Sequence, residues 1–320
     1  MNKGVLYALG AYGIWGFFPL YWKMLGDVPS SQIIAHRIMW SAVFLMVLLT
    51  LRRNWKPLIG ALRSPRVVLT YTAASVILTT NWLIYVWAIN ADKVVESSLG
   101  YFINPLVSIL LGVLFLGERM RAWQWVAVGV AALGVLDLAL SYGQIPWIAL
   151  SLALSFGTYG LIKKRAPLAA SHGLALETGT MFLPALAFVV VQSQLGVGAF
   201  GLSTAAQAGG GLTPLATSLL LIGGGVVTTI PLLLFSSATQ MIPLSWIGLL
   251  QYITPTAQFL MGVFLYHEPL THDNLVGFVV VWVGLAIFGV EGILARRGDR
   301  AVIGAEDAAA AAAMVPAGGE

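Results

Sequence analysis

Long apolar stretches, separated by short polar connections, occupy almost the whole chain. Ten of these stretches approach the roughly 20 residues that a helix needs to cross the hydrocarbon layer of a bilayer. They lie at 4–22, 31–51, 67–89, 94–116, 122–141, 146–163, 174–195, 214–236, 243–264 and 273–294. Because a helix satisfies its own backbone hydrogen bonds in lipid, the pattern predicts an all-α integral membrane protein with ten transmembrane helices.

The positions of the basic residues indicate how this bundle is oriented. Lysine and arginine collect in the cytoplasmic connections of membrane proteins. If the N-terminus is cytoplasmic, fourteen of the 17 lysines and arginines fall on that side, Lys23 and Lys93 fall outside, and Arg37 lies within the second segment. The sequence therefore predicts that both termini face the cytoplasm.

The fourth and ninth segments repeat one unusual pattern. It begins at Ile103-Asn104-Pro105 and Ile253-Thr254-Pro255, and continues at Leu110, Gly112, Val113 and Glu118 and at Leu260, Gly262, Val263 and Glu268. A weaker similarity relates the sequence around Gly16 in the first segment to that around Gly157 in the sixth. Because five crossings reverse the direction of the chain, we predict inverted five-helix repeats at 1–143 and 144–297, with a disordered cytoplasmic tail at 298–320. Such repeats with interrupted spans are typical of secondary transporters.

Composition narrows the class of protein further. Charged residues make up 9% of the chain and hydrophobic residues 58%, which excludes an ordinary soluble domain. The basic residues are spread over short connections, so the net charge of +4 does not indicate a nucleic-acid partner. No phosphate-binding Gly-Lys-Ser/Thr loop, zinc-binding HExxH motif or Gly-x-Ser-x-Gly elbow occurs, and there is no cysteine. We therefore predict a protein that is not an enzyme and has no cofactor. A membrane-embedded enzyme and a non-transporting scaffold or channel are the alternatives.

The repeated prolines indicate where a transport path would lie. Pro105 and Pro255 each remove a backbone donor inside an apolar helix and free the carbonyl four residues earlier. At membrane depth such a carbonyl is tolerated only where protein or a watery cavity satisfies it. We predict two symmetry-related kinks beside the path; kinks that serve packing alone are the alternative. The neighbouring side chains that would offer hydrogen bonds are Tyr101, Asn104, Tyr252 and Thr254.

Charged and titratable residues inside the segments are candidates for binding, gating or coupling. A charge within a membrane is expected to pair or to face water, and Glu96 is the predicted partner of Arg37, with Asp27 and Asp92 as shallower alternatives. Arg37 would then serve a structural ion pair, or instead bind a substrate carboxylate or gate the outer side.

Three titratable residues are candidates for coupling or gating. His36 is either a proton carrier or a packing residue. Glu96 and Glu177 are acids inside the segments and are therefore candidates for proton coupling. For Glu177, solvation near the cytoplasmic face is the alternative.

Three more residues fall close to the middle of their segments. Trp15 and Tyr85 carry amphipathic rings, which need a partner for the polar tip away from the membrane surface. Asn81 shares a helical face with Tyr85, since the two are four residues apart. We predict that Trp15, Asn81 and Tyr85 line the path; packing is the alternative.

The chain resembles the EamA family of the drug/metabolite transporter superfamily. The resemblance is carried by the ten spans and by Asn104-Pro105…Gly117-Glu118-Arg119 and Thr254-Pro255…Glu268-Pro269. Residues 15–23, Ala35-His36-Arg37 and residues 81–88 are similar to the RarD subgroup. The resemblance implies an inner-membrane, multi-pass permease that exports small molecules, with the lipid bilayer and a small-molecule substrate as its partners. The substrate is not specified, and both a monomer and a homodimer are open.

Overall fold

A computed structural model describes residues 2–91, 93–141, 144–201, 212–265 and, within 279–291, all but residues 281, 285 and 289. No strand occurs in these ranges. The helices are α1 (Lys3–Gly16), α2 (Phe18–Lys23), α3 (Ser30–Leu51), α4 (Lys56–Leu62), α5 (Pro65–Asn90), α6 (Val94–Leu116), α7 (Ala122–Ser141), α8 (Trp147–Arg165), α9 (Ala170–Gln194), α10 (Pro214–Met241), α11 (Leu244–Gln251) and α12 (Ile253–Phe264). The described residues of 279–291 are helical as well. The predicted all-α fold is confirmed.

Several helices have the length and apolarity that a membrane requires. Five of the described helices, α3, α5, α6, α9 and α10, are long and apolar enough to cross a bilayer. Their outer faces carry large exposed aliphatic side chains, such as Leu69, Leu114 and Leu183, each at least 66% exposed. Faces of this kind would be unfavourable in water and are suited to hydrocarbon. The chain is therefore a multi-pass membrane protein.

The predicted segments correspond to helices with two interruptions and one addition. The first segment is divided at Phe17 into α1 and α2, and the ninth is divided at Tyr252 into α11 and α12. The short helix α4 lies in a predicted connection. The fourth segment, by contrast, is the continuous helix α6, which runs through Pro105. The two equivalent prolines thus lie in different local structures, whereas the sequence predicted a matched pair of kinks.

Local side-chain chemistry explains where several helices begin and end. Asn2 Oδ1 accepts a hydrogen bond from the Gly4 amide at 2.9 Å and caps α1. Helix α6 ends at Gly117, whose φ of 65° is left-handed and favours glycine. Glu118 then accepts hydrogen bonds from the amides of Leu244 at 2.5 Å and Ser245 at 2.8 Å. It therefore caps α11, a helix far along the chain, and not the helix that follows it.

Contacts group the chain into two units. One consists of Met1–Glu118 with Ser141–Leu270, and the other of Arg119–Leu140 with Thr271–Glu320. This grouping does not test the predicted repeat boundary at residue 143, which stays a prediction. In the second unit, Arg121 Nη1 lies 3.1 Å from Glu291 Oε1.

The first unit holds the largest core and the closest helix packing. Helix α6 packs on α8 and α11, α1 on α10, α3 on α9 and α10, and α5 on α8. Small residues permit these approaches. A Cβ placed on Gly225 of α10 would lie 2.5 Å from the backbone carbon of Trp40 on α3. The Ser41 hydroxyl donates to the Gly225 carbonyl at 3.0 Å, so the same contact is also hydrogen-bonded.

Candidate functional site

The first unit encloses a cavity of about 360 Å³ among its helices. It reaches from Ser30, the first residue of α3, inward to Asn104 on α6 and Leu232 on α10. Its wall is mostly aromatic and aliphatic, and its polar groups come from one arginine, four side-chain amides, three tyrosines, one serine and one threonine. Within the part of the chain that the structure describes, no aspartate or glutamate lines it. Such a wall suits a partly apolar small molecule.

Arg37 is the charged group of the cavity wall. Its Nε donates to Thr228 Oγ1 at 2.9 Å. The guanidinium carbon lies 4.2 Å from the ring centre of Trp82 and 4.8 Å from that of Trp22, so both rings make cation–π contacts with it. No described carboxylate lies within ion-pair distance of it. The predicted partner Glu96 has a side chain outside the described residues, so that pairing stays a prediction.

The three mid-span residues Trp15, Asn81 and Tyr85 all line the cavity, together with Tyr101. Asn81 Nδ2 donates to the Leu152 carbonyl at 2.9 Å and to Ser155 Oγ at 2.8 Å, which ties α5 to α8. The rings of Tyr85 and Tyr101 meet edge to face at 5.9 Å. Residues from the first, third and fourth predicted segments therefore share one wall.

The repeated motif contributes an amide and a hydroxyl to the cavity, but not its prolines. Asn104 and Thr254 line it, whereas Pro105 and Pro255 do not. Thr254 Oγ1 donates to the Tyr12 carbonyl at 2.9 Å. Tyr252, which was expected to offer a hydrogen bond to the path, is fully buried and donates to the Phe102 carbonyl instead.

Gln251 takes the place that was predicted for Tyr252. Its side chain lines the cavity, and its Oε1 is buried without a hydrogen-bond partner among the described residues. Asn104 Oδ1 is also buried and unpartnered in the described ranges. The sequence signal for Gln251 is a long polar side chain one turn before Pro255 in an apolar segment. Only its backbone carbonyl was predicted to matter, so its side chain is an addition to the site.

A cluster of aromatic rings, which we call the aromatic floor, closes the inner part of the cavity. Its members are Tyr12, Trp15, Phe156, Tyr159 and Phe235, whose ring centres lie 5.4–6.2 Å from their neighbours in the cluster. Tyr12, Tyr159 and Phe235 are almost completely buried. The sequence had identified only Trp15 of this group as a path residue.

Glu177 is part of a buried ion pair that does not line the main cavity. Its Oε1 lies 2.6 Å from Lys163 Nζ, and Tyr159 donates to its Oε2 at 3.1 Å. Solvation near the cytoplasmic face was one interpretation of Glu177. That interpretation is wrong, because the side chains of Glu177 and Lys163 are only 1–2% exposed.

A second void of about 30 Å³ is bordered by both Arg37 and Glu177. Hydroxyl residues on its wall include Ser41, Ser75 and Thr178. A void of this size holds about one or two water molecules if polar groups surround it. The remaining wall is mostly apolar, so the void places Arg37 and Glu177 beside one small space without forming a polar path between them.

His36 lies away from the cavity. It is 1% exposed, and its ring stacks on Phe200 with 5.3 Å between ring centres. Its Nδ1 has no hydrogen-bond partner in the described part of the chain. Packing thus accounts for its position, and a role as a proton carrier stays a prediction. The described residues contain no group of three histidines, cysteines or acids that could hold a metal.

Comparison with known proteins decides the family. Residues 2–139 match the EamA-like transporter family. A Streptomyces exfoliatus protein called RarD is 49% identical over 302 residues, which are 94% of this chain and 92% of the relative. The chain belongs to the RarD subgroup of the EamA family. The resemblance found in the sequence is therefore confirmed.

Two further matches extend across the chain. An uncharacterized transporter of Bacillus subtilis, YojE, is 42% identical to this RarD-subgroup protein over 93% of the chain and 97% of the relative. A protein of known crystal structure aligns with a TM-score of 0.64, over 89% of this chain and 97% of the other, at 17% identity. At that identity the structural match supports the fold alone.

Proposed function

We propose that this RarD-subgroup protein is a secondary active transporter of the inner (plasma) membrane, which exports small metabolites or drugs by alternating access between two inverted halves. The observation that carries the proposal is the cavity of about 360 Å³ that membrane helices of both halves enclose. Transporter sites lie near the bilayer midplane at the interface between repeats. The family membership supports transport as the activity.

The packing of the helices supports the inverted halves. In the proposed repeat, α1, α3, α5 and α6 correspond to α8, α9, α10 and the α11–α12 pair. If each helix is replaced by its equivalent in the other half, the contact of α1 with α10 becomes the contact of α8 with α5. In the same way, α3 with α10 becomes α9 with α5, and α6 with α8 becomes α12 with α1. All of these contacts occur in the first unit. Each of these three contacts thus has a counterpart, as a two-fold relation between the halves requires.

Two glycines support the same relation at the level of residues. A Cβ on Gly16 would lie 2.6 Å from Cβ of Ala257, and a Cβ on Gly157 would lie 2.9 Å from Cγ1 of Val107. Residues 107 and 257 are separated by the same 150 positions as the repeated prolines. Gly16 and Gly157, which the weaker sequence similarity relates, therefore allow close packing at equivalent places in the two proposed halves.

The two ends of the path differ in a way that suits alternating access. Under the proposed orientation, the cavity reaches the outer side at Ser30, while the aromatic floor and the Lys163–Glu177 pair close the cytoplasmic side. Transport would require the halves to rock and the pair to separate. We include proton coupling in the proposal, with Glu177 as the coupling group, because it is a buried acid inside the membrane and borders the same small void as Arg37.

Flux into proteoliposomes tests transport directly. Purified protein is reconstituted and offered amino acids, organic acids, chloramphenicol and a cationic dye, with and without a pH gradient. Ile33→Trp should fill the cavity from its wall and abolish flux, whereas Leu69→Trp, on an exposed outer face, should leave flux unchanged. In a transporter, unlabelled substrate inside the liposomes accelerates the uptake of labelled substrate from outside, because the loaded carrier returns faster. Flux without this acceleration would indicate a channel, and absence of flux for the whole panel would contradict the proposal.

Coupling is tested separately from transport. Lys163→Met combined with Glu177→Leu removes both charges, so the far end of the path keeps an apolar closure. If Glu177 carries the coupling proton, this double variant should exchange substrate yet no longer respond to a pH gradient. A response equal to that of the unchanged protein would clear Glu177 of a coupling role.

A further inference from the structure

The cavity wall carries one positive charge that no described carboxylate neutralises. Of the five N–H donors of a guanidinium, Arg37 uses Nε on Thr228, and its terminal nitrogens have no hydrogen-bond partner among the described residues. The rings of Trp82 and Trp22 hold the group from its sides. A buried charge at membrane depth costs free energy unless an anion or water contacts it. The free donors form a planar fork, which matches a carboxylate with two parallel hydrogen bonds.

Charge balance limits the kind of anion. A single carboxylate neutralises Arg37, whereas a phosphate group with two charges would leave a net negative charge in a wall without a second described cation. A cationic molecule would meet Arg37 without an acidic residue to offset the repulsion, since none of the described lining residues is acidic. One negative charge is therefore the charge that this site accommodates best.

The remainder of the wall describes the rest of the ligand. Trp15, Tyr101 and Phe156 present rings on which an aromatic or aliphatic body can pack. A volume of about 360 Å³ lies near the lower end of the range for small-molecule pockets, about 300–1,000 Å³. Asn104 and Gln251 also line the wall, and each has a buried side-chain oxygen without a hydrogen-bond partner among the described residues.

We infer, on the basis of the proposed function, that the substrates are small amphipathic monocarboxylates. Arg37 binds the carboxylate through its terminal nitrogens. The apolar body lies among the rings of the wall. The class is thus defined by one negative charge next to an apolar group, and it excludes cationic dyes and phosphate esters.

Binding to the purified protein tests this class without requiring transport. Four probes share one benzene ring and one chain length: 3-phenylpropionate, 3-phenylpropionamide, phenylalanine and 3-phenylpropylamine. They carry a single negative charge, no charge, both charges and a single positive charge, respectively. We expect titration calorimetry of the protein in nanodiscs at neutral pH to show the highest affinity for the acid. Its affinity should exceed that of the neutral amide at least about tenfold, because hydrogen bonds between two charged groups are stronger than those to a neutral group.

Variants assign the preference to Arg37. Arg37→Gln should remove the advantage of the acid over the amide and leave affinity for the amide nearly unchanged. Arg37→Lys, which keeps the charge without the fork, should retain part of the advantage. Arg63→Gln removes an exposed cation outside the cavity and should change nothing. If Arg37→Gln does not fold, the ranking of the four probes on the unchanged protein and the Arg37→Lys variant decide the question.

The outcomes separate this inference from the proposed function. Equal affinity for acid and amide, tightest binding of the cation or the zwitterion, or binding of none of the probes at millimolar concentration would overturn the monocarboxylate class. Selective binding of the acid without flux in proteoliposomes would support the class and contradict transport. Flux of another chemical class without binding of the acid would support transport and overturn the class.

Discussion

Lys163 on α8 and Glu177 on α9 form an ion pair inside the protein, with 2.6 Å between Nζ and Oε1. Lys163 lies one turn after Tyr159, whose hydroxyl donates to the other carboxylate oxygen at 3.1 Å. The lysine ammonium also lies 5.4 Å from the ring centre of Tyr71. These contacts surround both charges, and they join two helices at the end of the path opposite Ser30.

Removing one member of this pair should be more harmful than removing both. Glu177→Leu leaves a buried ammonium without its counter-charge and should cost about 3–5 kcal/mol of folding free energy, whereas Lys163→Met with Glu177→Leu leaves no buried charge. Unfolding in detergent, measured for both single variants and the double variant, gives the interaction free energy. The half-exposed Arg121 serves as the control, since Arg121→Met should cost no more than about 1 kcal/mol. If the double variant loses as much free energy of unfolding as the two single variants lose together, the pairing is contradicted.

Glu118 should stabilise the start of α11. Glu118→Ala removes the acceptor for two helical amides, and the expected loss is about 0.5–2 kcal/mol, the usual effect of removing an N-terminal cap. Glu118→Gln keeps one acceptor oxygen and should lose less. Thermal unfolding measures both variants, with Arg119→Ala, at an exposed position next to it, as the control. Equal stability of the alanine variant and the unchanged protein would show that the cap is dispensable.

Gly225 should not tolerate a methyl group. Alanine there would bring Cβ against the Trp40 backbone, which cannot move as a flexible side chain can, so we expect a loss of about 1–3 kcal/mol. Gly13, in the interior of α1, has open space where a Cβ would lie and provides the control. Gly13→Ala should be neutral or slightly stabilising, because alanine favours helices. Similar unfolding midpoints for the two variants would argue against close packing of α3 on α10.

The proposed orientation can be measured by cysteine labelling, since the chain contains no cysteine of its own. In intact cells a membrane-impermeant maleimide should label Lys93→Cys on the outer side and Ile33→Cys on the cavity wall. Arg63→Cys should react only after the membrane is permeabilised. The opposite pattern would invert the orientation. Labelling of Lys93→Cys without Ile33→Cys would indicate that the cavity is closed to the outside.

Much of the fold was accessible from the sequence because its signals are local. A run of about 20 apolar residues predicts a membrane helix without knowledge of its neighbours, so α3, α6 and α9 lie close to their predicted bounds. The division at Tyr252 was not predicted as a break. Pro255 lies in the first turn of α12, after this division, and proline is compatible with the first turn of a helix. Pro105, by contrast, lies inside α6.

The candidate site was accessible only in part. Intramembrane polar and charged residues are unusual enough to be recognised singly, and Arg37, Asn81 and Asn104 were identified in this way before they were found on one wall. Lys163, the last residue of the sixth predicted segment, was counted with the cytoplasmic basic residues because lysine near a segment end normally faces water. Its true position depends on Glu177, which lies on another helix.

The sequence by itself determined that the chain is a helical membrane protein of the EamA family, since apolar length and motif spacing are properties of the chain alone. The tertiary structure decided which of the unusual residues share a cavity, which pair with each other and which are packed behind it. Those relations join helices that are distant along the chain, such as α3 with α10 and α6 with α11. They depend on how whole helices pack, and no local pattern encodes that arrangement.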